Sequence, residues 1–356
     1  MSTTQIPSGH SLAEKVWAKK AYLDAVKETL YGKLSGTKES SIIQIKDELQ
    51  KSAGDRARFR LRGLPSGTGV EGSETLEGKE EGLDYSYMDL FINQKRHAHK
   101  TDLGMNKQRV DFNLRTECKE AQKEWWEEYI DESMFRTMSG DTTFTFAGNN
   151  GTAPTSERLL YGGDATQKSE IVADDKFDLS LIDRALVKAK LSSPHMRKGS
   201  FGGKSAFVCI LHPFQVHDMR TNTSTGQWLD IQKAAMQGGK VSDNPIWSEA
   251  LGVYNGVILV ENTRVRTYTD YGAGSVHAAR ALLLGAQAGA VAFGRGFSGA
   301  SRMKWAERTF DFGDKFAVAA SMIWGIKKSV FAGAGNDGTQ DFATISIDTA
   351  AADPSA

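Results

Sequence analysis

The clearest hydrophobic and polar pattern in the chain lies in GDRARFRLRG, residues 54–63, where apolar and basic side chains alternate. Ala57, Phe59 and Leu61 share one face of an extended backbone. The opposite face carries four arginines: Arg56, Arg58, Arg60 and Arg62. A period of two is typical of a β-strand. Strand character returns in LDYSYMDLFINQKRHAHK, residues 83–100, so the two segments predict a long two-stranded ribbon.

The segment between these strands, residues 64–82, is rich in glycine and glutamate and shows no periodicity. Such a composition is typical of an exposed loop. Its acidic residues are Glu71, Glu74, Glu77, Glu80 and Glu81. A two-stranded ribbon is only marginally stable alone in water, so this one needs a surface to lie on. The charges favour pairing, within the chain or with a neighbouring molecule, and a solvated charged hairpin is the alternative interpretation.

The strongest helical pattern lies in residues 106–140 and predicts a helix over 106–138, with Gly140 as its C-cap. Apolar residues recur there at helical spacing: Val110, Leu114, Cys118, Ala121, Trp125, Tyr129 and Met134. Roughly 30 residues at about 1.5 Å each give a rod of about 45–50 Å, which is long for a chain of this size. Four carboxylates predict a solvated face of this helix: Glu127, Glu128, Asp131 and Glu132.

Residues 141–177 have a loop-like pattern with short strands, residues 178–299 alternate between helix and strand patterns, and residues 300–348 carry strand-like pieces. Three helices are predicted: DLSLIDRALVKAKLS (178–192), HPFQVHDMR (212–220, with Pro213 in its first turn) and GQWLDIQKAAMQGG (226–239). The predicted strands are SIIQIKDEL (41–49), TTFTF (142–146), SEIVAD (169–174), KSAFVCIL (204–211), GVILVENTRV (256–265), ERTFDF (307–312), AVAASMIWGIKKSVF (317–331) and FATISIDT (342–349).

Length and composition narrow the class of protein. A chain of 356 residues is long enough for two or more lobes. Basic and acidic residues number 44 each, and zero net charge argues against a dedicated nucleic-acid-binding protein. Cys118 and Cys209 indicate no disulfide framework or CxxC site, so free thiols in a reducing compartment are expected. Without a signal-peptide core or an apolar run of membrane-spanning length, we expect an intracellular soluble protein.

Two glycine-rich stretches imitate nucleotide-binding motifs. GRGFSG, residues 294–299, fits the G-x-G-x-x-G fingerprint of dinucleotide sites, but strands rather than βαβ units are predicted after it. GSFGGKS, residues 199–205, resembles a phosphate loop, yet Gly199 and Gly203 enclose three residues where the motif requires four. We interpret the first stretch as a hinge between lobes and the second as a turn into a strand.

The histidines do not form a recognisable metal site. His97 and His99 share a strand face without a third ligand nearby, and His212 and His217 fall on different faces of a helix. No spacing typical of a catalytic triad or dyad is present. We therefore predict no metal, no cofactor and no catalytic residue.

Five segments, in a fixed order from residue 92 to residue 331, carry a family resemblance. They are INQKRHAHKTDLGMNKQRVDFNLR (92–115), HPFQVHDMR (212–220), NPIWSEALGVYNGVILVENTRV (244–265), ALLLGAQAGAVAFG (281–294) and RTFDFGDKFAVAASMIWGIKKSVF (308–331). Together they resemble the major capsid proteins of tailed bacteriophages, in the group typified by the coat protein of coliphage N-four.

The resemblance implies an α+β fold of the Hong Kong 97 type. It divides the chain into five parts: an N-terminal arm (1–40), an extended β-hairpin loop reaching over a neighbouring subunit (41–103), a peripheral domain (104–177) with a spine helix (106–138), an axial domain (178–300), and a return to the peripheral domain with a C-terminal tail (301–356).

The function implied by the resemblance is structural and not enzymatic. Copies of the chain, as pentamers and hexamers, would close into an icosahedral virion capsid around double-stranded DNA, which they touch through non-specific contacts. Portal, scaffolding or decoration proteins are further candidate partners, no membrane takes part, and assembly would occur in the host bacterial cytoplasm. Two alternatives remain: an encapsulin-like nanocompartment shell of the same fold, and a nucleotide-binding cytosolic enzyme.

If the chain forms a capsid, we expect roles for the charged ribbon and for the glycine-rich stretch GRGFSG, residues 294–299. The candidate intersubunit contacts are Arg56, Arg58, Arg60, Arg62, Glu71, Glu74 and Glu77. The candidate hinge between the axial and peripheral domains is Gly294, Gly296 and Gly299, because glycine tolerates the backbone angles that differently bent subunits require.

Overall fold

The computed structural model describes residues 30–47, 49, 54–63, 65, 67–83, 85–102, 114–222, 224, 252–272, 274–295, 302–332 and 339–354. Several predictions concern residues outside these ranges: the helix at 226–239, the first part of the long helix, Gly296 and Gly299, and most of the N-terminal arm.

Helices and strands alternate along the described residues. The α-helices are α1 (Leu30–Leu34), α2 (Leu114–Met138), α3 (Leu179–Leu191) and α4 (Pro213–Thr221). Single 3₁₀ turns lie at Ser156–Arg158, Lys168–Glu170 and Asp311–Gly313. The strands are β1 (Ser35–Gly36), β2 (Ile43–Lys46), β3 (Arg56–Arg62), β4 (Tyr85–Phe91), β5 (Asn93–Asp102), β6 (Thr145–Phe146), β7 (Asn149–Asn150), β8 (Leu159–Tyr161), β9 (Gly199–Phe201), β10 (Lys204–Leu211), β11 (Gly252–Tyr254), β12 (Val257–Glu261), β13 (Thr267–Tyr271), β14 (Val276–Leu284), β15 (Gly289–Phe293), β16 (Met303–Phe310), β17 (Lys315–Lys328), β18 (Val330–Ala332), β19 (Thr339–Asp341) and β20 (Thr344–Ala350).

Strand β17 organises the first sheet, whose order is β1-β2-β15-β17-β16, with β5 also paired to β17. Buried and half-buried side chains alternate along most of β17, as a period of two predicts. One edge of β17 pairs antiparallel with β5, and the other edge pairs first with β16 and then with β15. Strand β2 joins the sheet by pairing parallel with β15.

Helix α2 packs on this sheet through an apolar face. The buried apolar residues of the helix are Trp126, Ile130, Met134, Phe135 and Met138. Trp125 and Tyr129, two of the apolar residues at helical spacing, are only half-buried. They form a column at the rim of the interface, in which Trp125 stacks on His97 of β5 at 3.9 Å and on Tyr129 at 5.0 Å between ring centroids. The Nδ1 atom of His97 lies 3.2 Å from Oε1 of Gln122.

The second sheet runs β11-β12-β10-β14-β20-β8, with β13 beside β14 and β9 beside β10. The apolar run of β10 is buried from Ala206 to Leu211 and pairs parallel with β12 and antiparallel with β14. A continuous apolar strand suits a sheet that is covered on both faces. Within this run, burial raises the pKa of the free Cys209 thiol to about 12, whereas the free Cys118 thiol on α2 is only partly buried.

Sequence-encoded caps begin the helices of the second half. The carboxylate of Asp178 accepts a hydrogen bond from the Leu181 N–H at 3.1 Å at the start of α3. Helix α4 begins with a reciprocal capping box between His212 and Gln215, and Pro213 occupies its first turn as predicted. Gly140 adopts φ +73° just after α2, which confirms its capping role.

Several strand predictions are confirmed and others are wrong. Residues 41–49 were assigned to the extended loop, but β2 and also β5 are strands of the first sheet, which leaves only β3, β4 and their connection as a ribbon. Of the C-terminal strands, β16 and β17 lie in the first sheet, on which α2 packs. Strand β20 lies in the second sheet, where its side chains are all buried and it pairs with β14 and β8.

The predicted strand SEIVAD, residues 169–174, does not form: its first two residues belong to the 3₁₀ turn Lys168–Glu170, and the other four lie in loop and turn. The carboxylate of Glu170 accepts hydrogen bonds from the Thr166 N–H and hydroxyl groups, both at 2.8 Å, and from the Gln167 amide at 2.9 Å. These local side-chain bonds compete with a strand ladder and close the turn.

A buried ionic cluster joins the two halves of the described chain. The Arg280 guanidinium on β14 binds both carboxylate oxygens of Asp348 on β20, at 2.6 and 2.7 Å. It also donates to the carbonyl oxygen of Ser139, just after α2, at 2.8 Å. The Tyr271 hydroxyl donates to Asp348 at 2.6 Å. The side chain of Asp348 is 1% exposed, so its charge depends on these partners.

We expect Arg280→Met to lower the free energy of unfolding by about 3–5 kcal/mol, because it leaves the buried Asp348 carboxylate without its cation. Urea unfolding of the unassembled chain measures this loss. The matched control is Arg266→Met, whose partly exposed guanidinium lies 3.2 Å from Asp141 and should contribute about 0–1 kcal/mol. Equal losses in the two variants would contradict the assignment.

Stability should also fall at acidic pH through His97. Burial lowers the pKa of His97 below its ordinary value of 6.5, and the nearby His99 and Lys95 charges lower it further, against the hydrogen bond to Gln122. The unfolded chain therefore takes up this proton at a higher pH than the folded chain. The contribution of His97 to the free energy of unfolding is fully present when the pH is above the pKa that His97 has in the unfolded chain. It is lost as the pH falls below that pKa.

The test is urea unfolding of the wild type and of His97→Phe between about pH 8 and about pH 5. His97→Phe keeps the ring stack and should lose less stability on acidification than the wild type. The exposed His277→Gln is the control and should follow the wild-type curve. Parallel curves for the wild type and His97→Phe would refute the proposed linkage.

Candidate functional site

The ribbon of β3 and β4 is the most exposed charged feature among the described residues, and its apolar face rests on its own chain. The strands pair antiparallel from Arg56 opposite Phe91 to Arg62 opposite Tyr85. Phe59, Met88 and Leu90 on the apolar face are buried in the main hydrophobic core. The surface that this ribbon needs is therefore supplied, at its root, by its own chain.

Hydrogen bonds fasten the root of the ribbon to the first sheet. The Asn149 amide bridges the Phe91 backbone, donating to its carbonyl oxygen at 2.8 Å and accepting from its N–H at 2.9 Å. The Lys327 ammonium donates to the Asp89 carbonyl oxygen at 2.9 Å. The backbone approaches β17 closely here, since a Cβ on Gly325 would lie 2.0 Å from the Phe91 carbonyl oxygen. The ribbon therefore leaves the sheet in a fixed direction.

Two of the four arginines are used within the chain. Arg58 forms a two-pronged contact with Asp89, at 2.7 Å from Nε and 2.9 Å from the terminal nitrogen, and its guanidinium lies 4.3 Å from the Tyr87 ring centroid. Arg56 reaches the same carboxylate at 3.3 Å. The hydrogen bond from Arg58 lowers the pKa of Asp89. Arg56 and Arg58 thus stabilise the ribbon itself.

Arg60 and Arg62 differ, because no carboxylate among the described residues forms an ion pair with either side chain. They lie opposite Tyr87 and Tyr85, whose side chains are 61% and 56% exposed. The outer end of the ribbon therefore presents two cations and two aromatic rings to the surroundings. Alternating arginines indicated this surface in the sequence, but nothing there distinguished the paired arginines from the unpaired ones.

The loop between the strands is exposed from Glu71 to Leu83, as predicted. Glu74 pairs with Lys79 at 2.6 Å, while Glu71 and Glu77 have no cationic partner among the described residues. Leu76 and Leu83 are 59% and 58% exposed, so the loop is amphipathic rather than simply acidic.

An acidic stripe along α2 was not identified as a distinct surface from the sequence. Glu117, Glu120, Glu124 and Glu128 are all exposed, and their spacing of three or four residues places them on one face of the helix. Within the described part of the chain, no lysine or arginine forms an ion pair with any of them. We call these four residues the acidic stripe.

Asp131 corrects the prediction of a solvated carboxylate face. It is 2% exposed, accepts hydrogen bonds from the Tyr31 N–H at 3.1 Å and from Arg264 at 2.8 Å, and so ties α1 and the second half of the chain to α2. Burial raises the pKa of Asp131, against the lowering effect of these hydrogen bonds.

Gly294 is held in place by its neighbours. Its N–H donates to the Ile323 carbonyl oxygen at 2.9 Å, and a Cβ at this position would lie 2.5 Å from Cγ2 of Ile323 and 2.9 Å from Cδ1 of Ile92. The absence of a side chain thus permits close packing, which differs from the conformational freedom expected of a hinge. Gly296 and Gly299, the other hinge candidates, lie outside the described residues.

The remaining motifs have structural roles where they are described. Gly202 and Gly203, at φ +56° and +80°, form the turn between β9 and β10, which confirms that GSFGGKS is a turn into a strand. No group of three His, Cys, Asp or Glu side chains in the described ranges is placed to hold a metal ion. None of the described helices is both long enough and apolar enough to span a membrane.

Comparison with known proteins agrees with this architecture. A solved structure, the capsid of Ralstonia phage GP4, is 33% identical and covers 99% of both chains with a TM-score of 0.79. The capsid of cyanophage Pam1 is 18% identical, covers 92% of this chain and 93% of its own, and has a TM-score of 0.75, which shows similarity of fold. The expected α+β fold of the Hong Kong 97 type is thereby confirmed.

Sequence comparison extends over nearly the whole chain. The major capsid protein of Pseudomonas phage KPP25 is 26% identical over 369 aligned residues, which cover 94% of each protein. A family model described as phage capsid protein matches residues 5–353. The chain therefore belongs to the phage capsid protein family.

Proposed function

We propose that this phage capsid protein assembles, without enzymatic activity, as pentamers and hexamers around double-stranded DNA. The observation that carries the proposal is the outer end of the ribbon, where Arg60 and Arg62 project without a partner from their own described chain. A surface of two cations and two exposed tyrosines is suited to contact with another subunit, since aromatic side chains supply large contact areas there.

The acidic stripe of a neighbouring copy is the partner proposed for these arginines. Residues two apart on a strand are about 6.7 Å apart, and residues four apart on a helix are about 6 Å apart along its axis. Arg60 and Arg62 can therefore face Glu120 and Glu124 pairwise. Opposite charges at an interface guide orientation as well as contributing affinity.

The loop at the end of the ribbon extends this proposed interface. Glu71 and Glu77 remain candidate intersubunit contacts, and the exposed Leu76 and Leu83 supply apolar area beside them. Glu74 is a weaker candidate because Lys79 already pairs with it. Arg56 and Arg58 would act indirectly, by holding the ribbon in shape through Asp89.

The described topology supports a modified form of the proposed division of the chain. We propose that the first sheet with α2 forms the peripheral domain, the second sheet with α3 and α4 the axial domain, and residues 54–91 the extended loop. Because β2 and β15 lie in the first sheet and β20 in the second, the chain crosses between the domains more often than five consecutive parts allow.

Further features of the proposal rest on the five resembling segments and on charge. We place the chain in the coliphage N-four-like group, with assembly in the host cytoplasm and with portal, scaffolding or decoration proteins as candidate partners. Its net charge of zero suits an inner surface that touches DNA without holding it, since each phosphate contact would add salt-dependent affinity. The relatives are phage capsid proteins, so neither a nanocompartment nor an enzyme is proposed.

The decisive variant is Arg60→Glu with Arg62→Glu. We expect the chain to remain folded but to form few or no shells, because like charges would then meet at the proposed interface. Electron microscopy and sedimentation measure shell yield, and circular dichroism measures folding. The charge-conserving pair Arg60→Lys with Arg62→Lys should assemble, and so should Lys190→Glu, which alters an exposed cation outside the ribbon.

A charge swap identifies the partner surface. Adding Glu120→Arg and Glu124→Arg to the glutamate variant should restore a substantial part of the shell yield, because the pairs re-form with reversed polarity. Normal shells from the glutamate variant alone would contradict the ribbon contact. Impaired assembly that the swap does not restore would instead exclude the acidic stripe as the partner.

Gly294→Ala should lower the free energy of unfolding by roughly 1–3 kcal/mol, because the new methyl group overlaps the Ile323 and Ile92 side chains. Thermal unfolding of the unassembled chain gives the size of the effect. Gly274→Ala is the control, since a Cβ there meets no atom within 4 Å. Wild-type stability of Gly294→Ala would show that close packing is not required there.

A further inference from the structure

The hairpin of β9 and β10 carries an exposed, basic surface that takes no part in the proposed subunit contacts. Residues 184–217 contain six lysines and arginines and no aspartate or glutamate. Four basic side chains and two hydroxyl groups are exposed on this hairpin or just before it. We call them the hairpin patch: His195, Arg197, Lys198, Ser200, Lys204 and Ser205.

The backbone at the tip of the hairpin allows a large partner to approach closely. Gly202 and Gly203 form the turn, and a Cβ on either residue would meet no atom within 4 Å. Ser200 and Ser205 lie directly opposite each other in the two strands. The tip therefore offers hydroxyl and ammonium donors without a bulky side chain in front of them.

The cations of the hairpin patch form no ion pair with a carboxylate among the described residues. Arg197 donates to the neutral amide oxygen of Gln287. The Asp183 carboxylate, beside the turn between β11 and β12, accepts hydrogen bonds from the Tyr254 hydroxyl at 2.8 Å and from the Asn255 amide at 3.0 Å. The positive charge of the patch therefore remains available to a partner from outside the chain.

The segment beside the hairpin adds no net charge. The Ser200 N–H donates to the Ser40 carbonyl oxygen at 2.7 Å, which brings residues 38–40 next to the hairpin. Lys38 and Glu39 are both exposed there, and their charges cancel. The excess of positive charge on this surface is therefore that of the hairpin patch.

The composition of the hairpin patch favours a polyanion over another protein subunit. Interfaces between proteins have apolar centres enriched in aromatic side chains, whereas protein–DNA interfaces are polar and positively charged. No large apolar side chain is exposed between residues 195 and 205, since Met196 is 6% exposed and Phe201 is half-buried. Lysine, arginine and serine side chains are donors that bind DNA phosphates without reading the base sequence.

We propose that the hairpin patch contacts the phosphate backbone of the enclosed double-stranded DNA and therefore faces the interior of the shell. The inference rests on the proposed function, which places DNA inside the shell, and it names the surface of the chain that touches this DNA. Arg197, Lys198 and Lys204 supply three permanent cations in each subunit. Each one that neutralises a phosphate releases condensed counterions, so the contact weakens as the salt concentration rises.

The test measures the fluorescence anisotropy of a labelled DNA duplex titrated with the full-length, unassembled chain at several salt concentrations. Lys198→Gln with Lys204→Gln should weaken binding and lower the slope of log affinity against log salt by about 2, since each phosphate contact contributes about 0.9. The matched control is Arg96→Gln with Lys100→Gln, which removes two exposed cations of β5 and should keep the wild-type slope.

The outcomes of this titration are separable from the folding of the variants, which circular dichroism measures. If the double lysine variant fails to fold, Lys198→Gln and Lys204→Gln singly decide the question, and each should lower the slope by about 1. Equal slopes for the wild type and the lysine variants, or no binding of the duplex by the wild type at low salt, would overturn the inference.

Assembled shells test the direction in which the hairpin patch faces. Closed, empty shells should bind an added long duplex no better in the wild type than in the double lysine variant, because the patch lies inside. Binding to closed shells that depends on Lys198 and Lys204 would place the patch outside and overturn the inference.

Shell yield separates this inference from the proposed function. The double lysine variant should form shells at the wild-type yield, as seen by electron microscopy. A loss of shells with unchanged DNA binding would identify the hairpin patch as a contact between subunits and overturn the DNA contact alone. Failure of the wild-type chain to form shells at all would instead contradict the proposed function.

Discussion

The packing of α2 against the second sheet depends on the contacts of the Arg280 guanidinium. This guanidinium binds a buried carboxylate of the second sheet and a backbone carbonyl at the end of α2 at the same time. The side chains of Arg280 and Asp348 are only 10% and 1% exposed, so each charge depends on the other and the contact holds the sheet against the helix end. Asp131 adds a second connection from the middle of α2 to Arg264. The ribbon leaves the sheet on which this same helix packs, and so the acidic stripe and the arginine end of the ribbon are presented in a fixed relation.

That fixed relation explains how a chain with many internal contacts can still require other copies. The root of the ribbon is satisfied internally, through its apolar face, Asn149 and the Asp89 carboxylate. Its outer end is not satisfied internally. Arginines continue to alternate along β3 as far as Arg60 and Arg62, but no carboxylate among the described residues pairs with these two. Single exposed ion pairs are weak. Contacts that repeat around a closed shell act together, so weak individual interfaces suffice.

Local sequence patterns predicted the helices and strands better than they predicted which strands pair with each other. The alternation in β3, the apolar run of β10 and the cap residues of α3 and α4 each express a local rule, and each element forms where expected. Sheet membership depends on distant residues, which explains why the pairing of β5 with β17 and of β20 with β14 could not be predicted from their local patterns. Arg58 and Arg60 are equivalent in the pattern, and only the position of Asp89 across the ribbon separates them.

The position of β20 links folding to protein synthesis. This strand pairs with β14 along seven residues and with β8 on its other side, although it follows nearly all of the described chain in sequence. Earlier parts of a chain emerge from the ribosome and begin to fold first. Until residues 344–350 emerge, β14 keeps an open, apolar edge of the kind that recruits strands from other chains. A chain that ended before residue 344 would leave this edge of β14 without its partner strand.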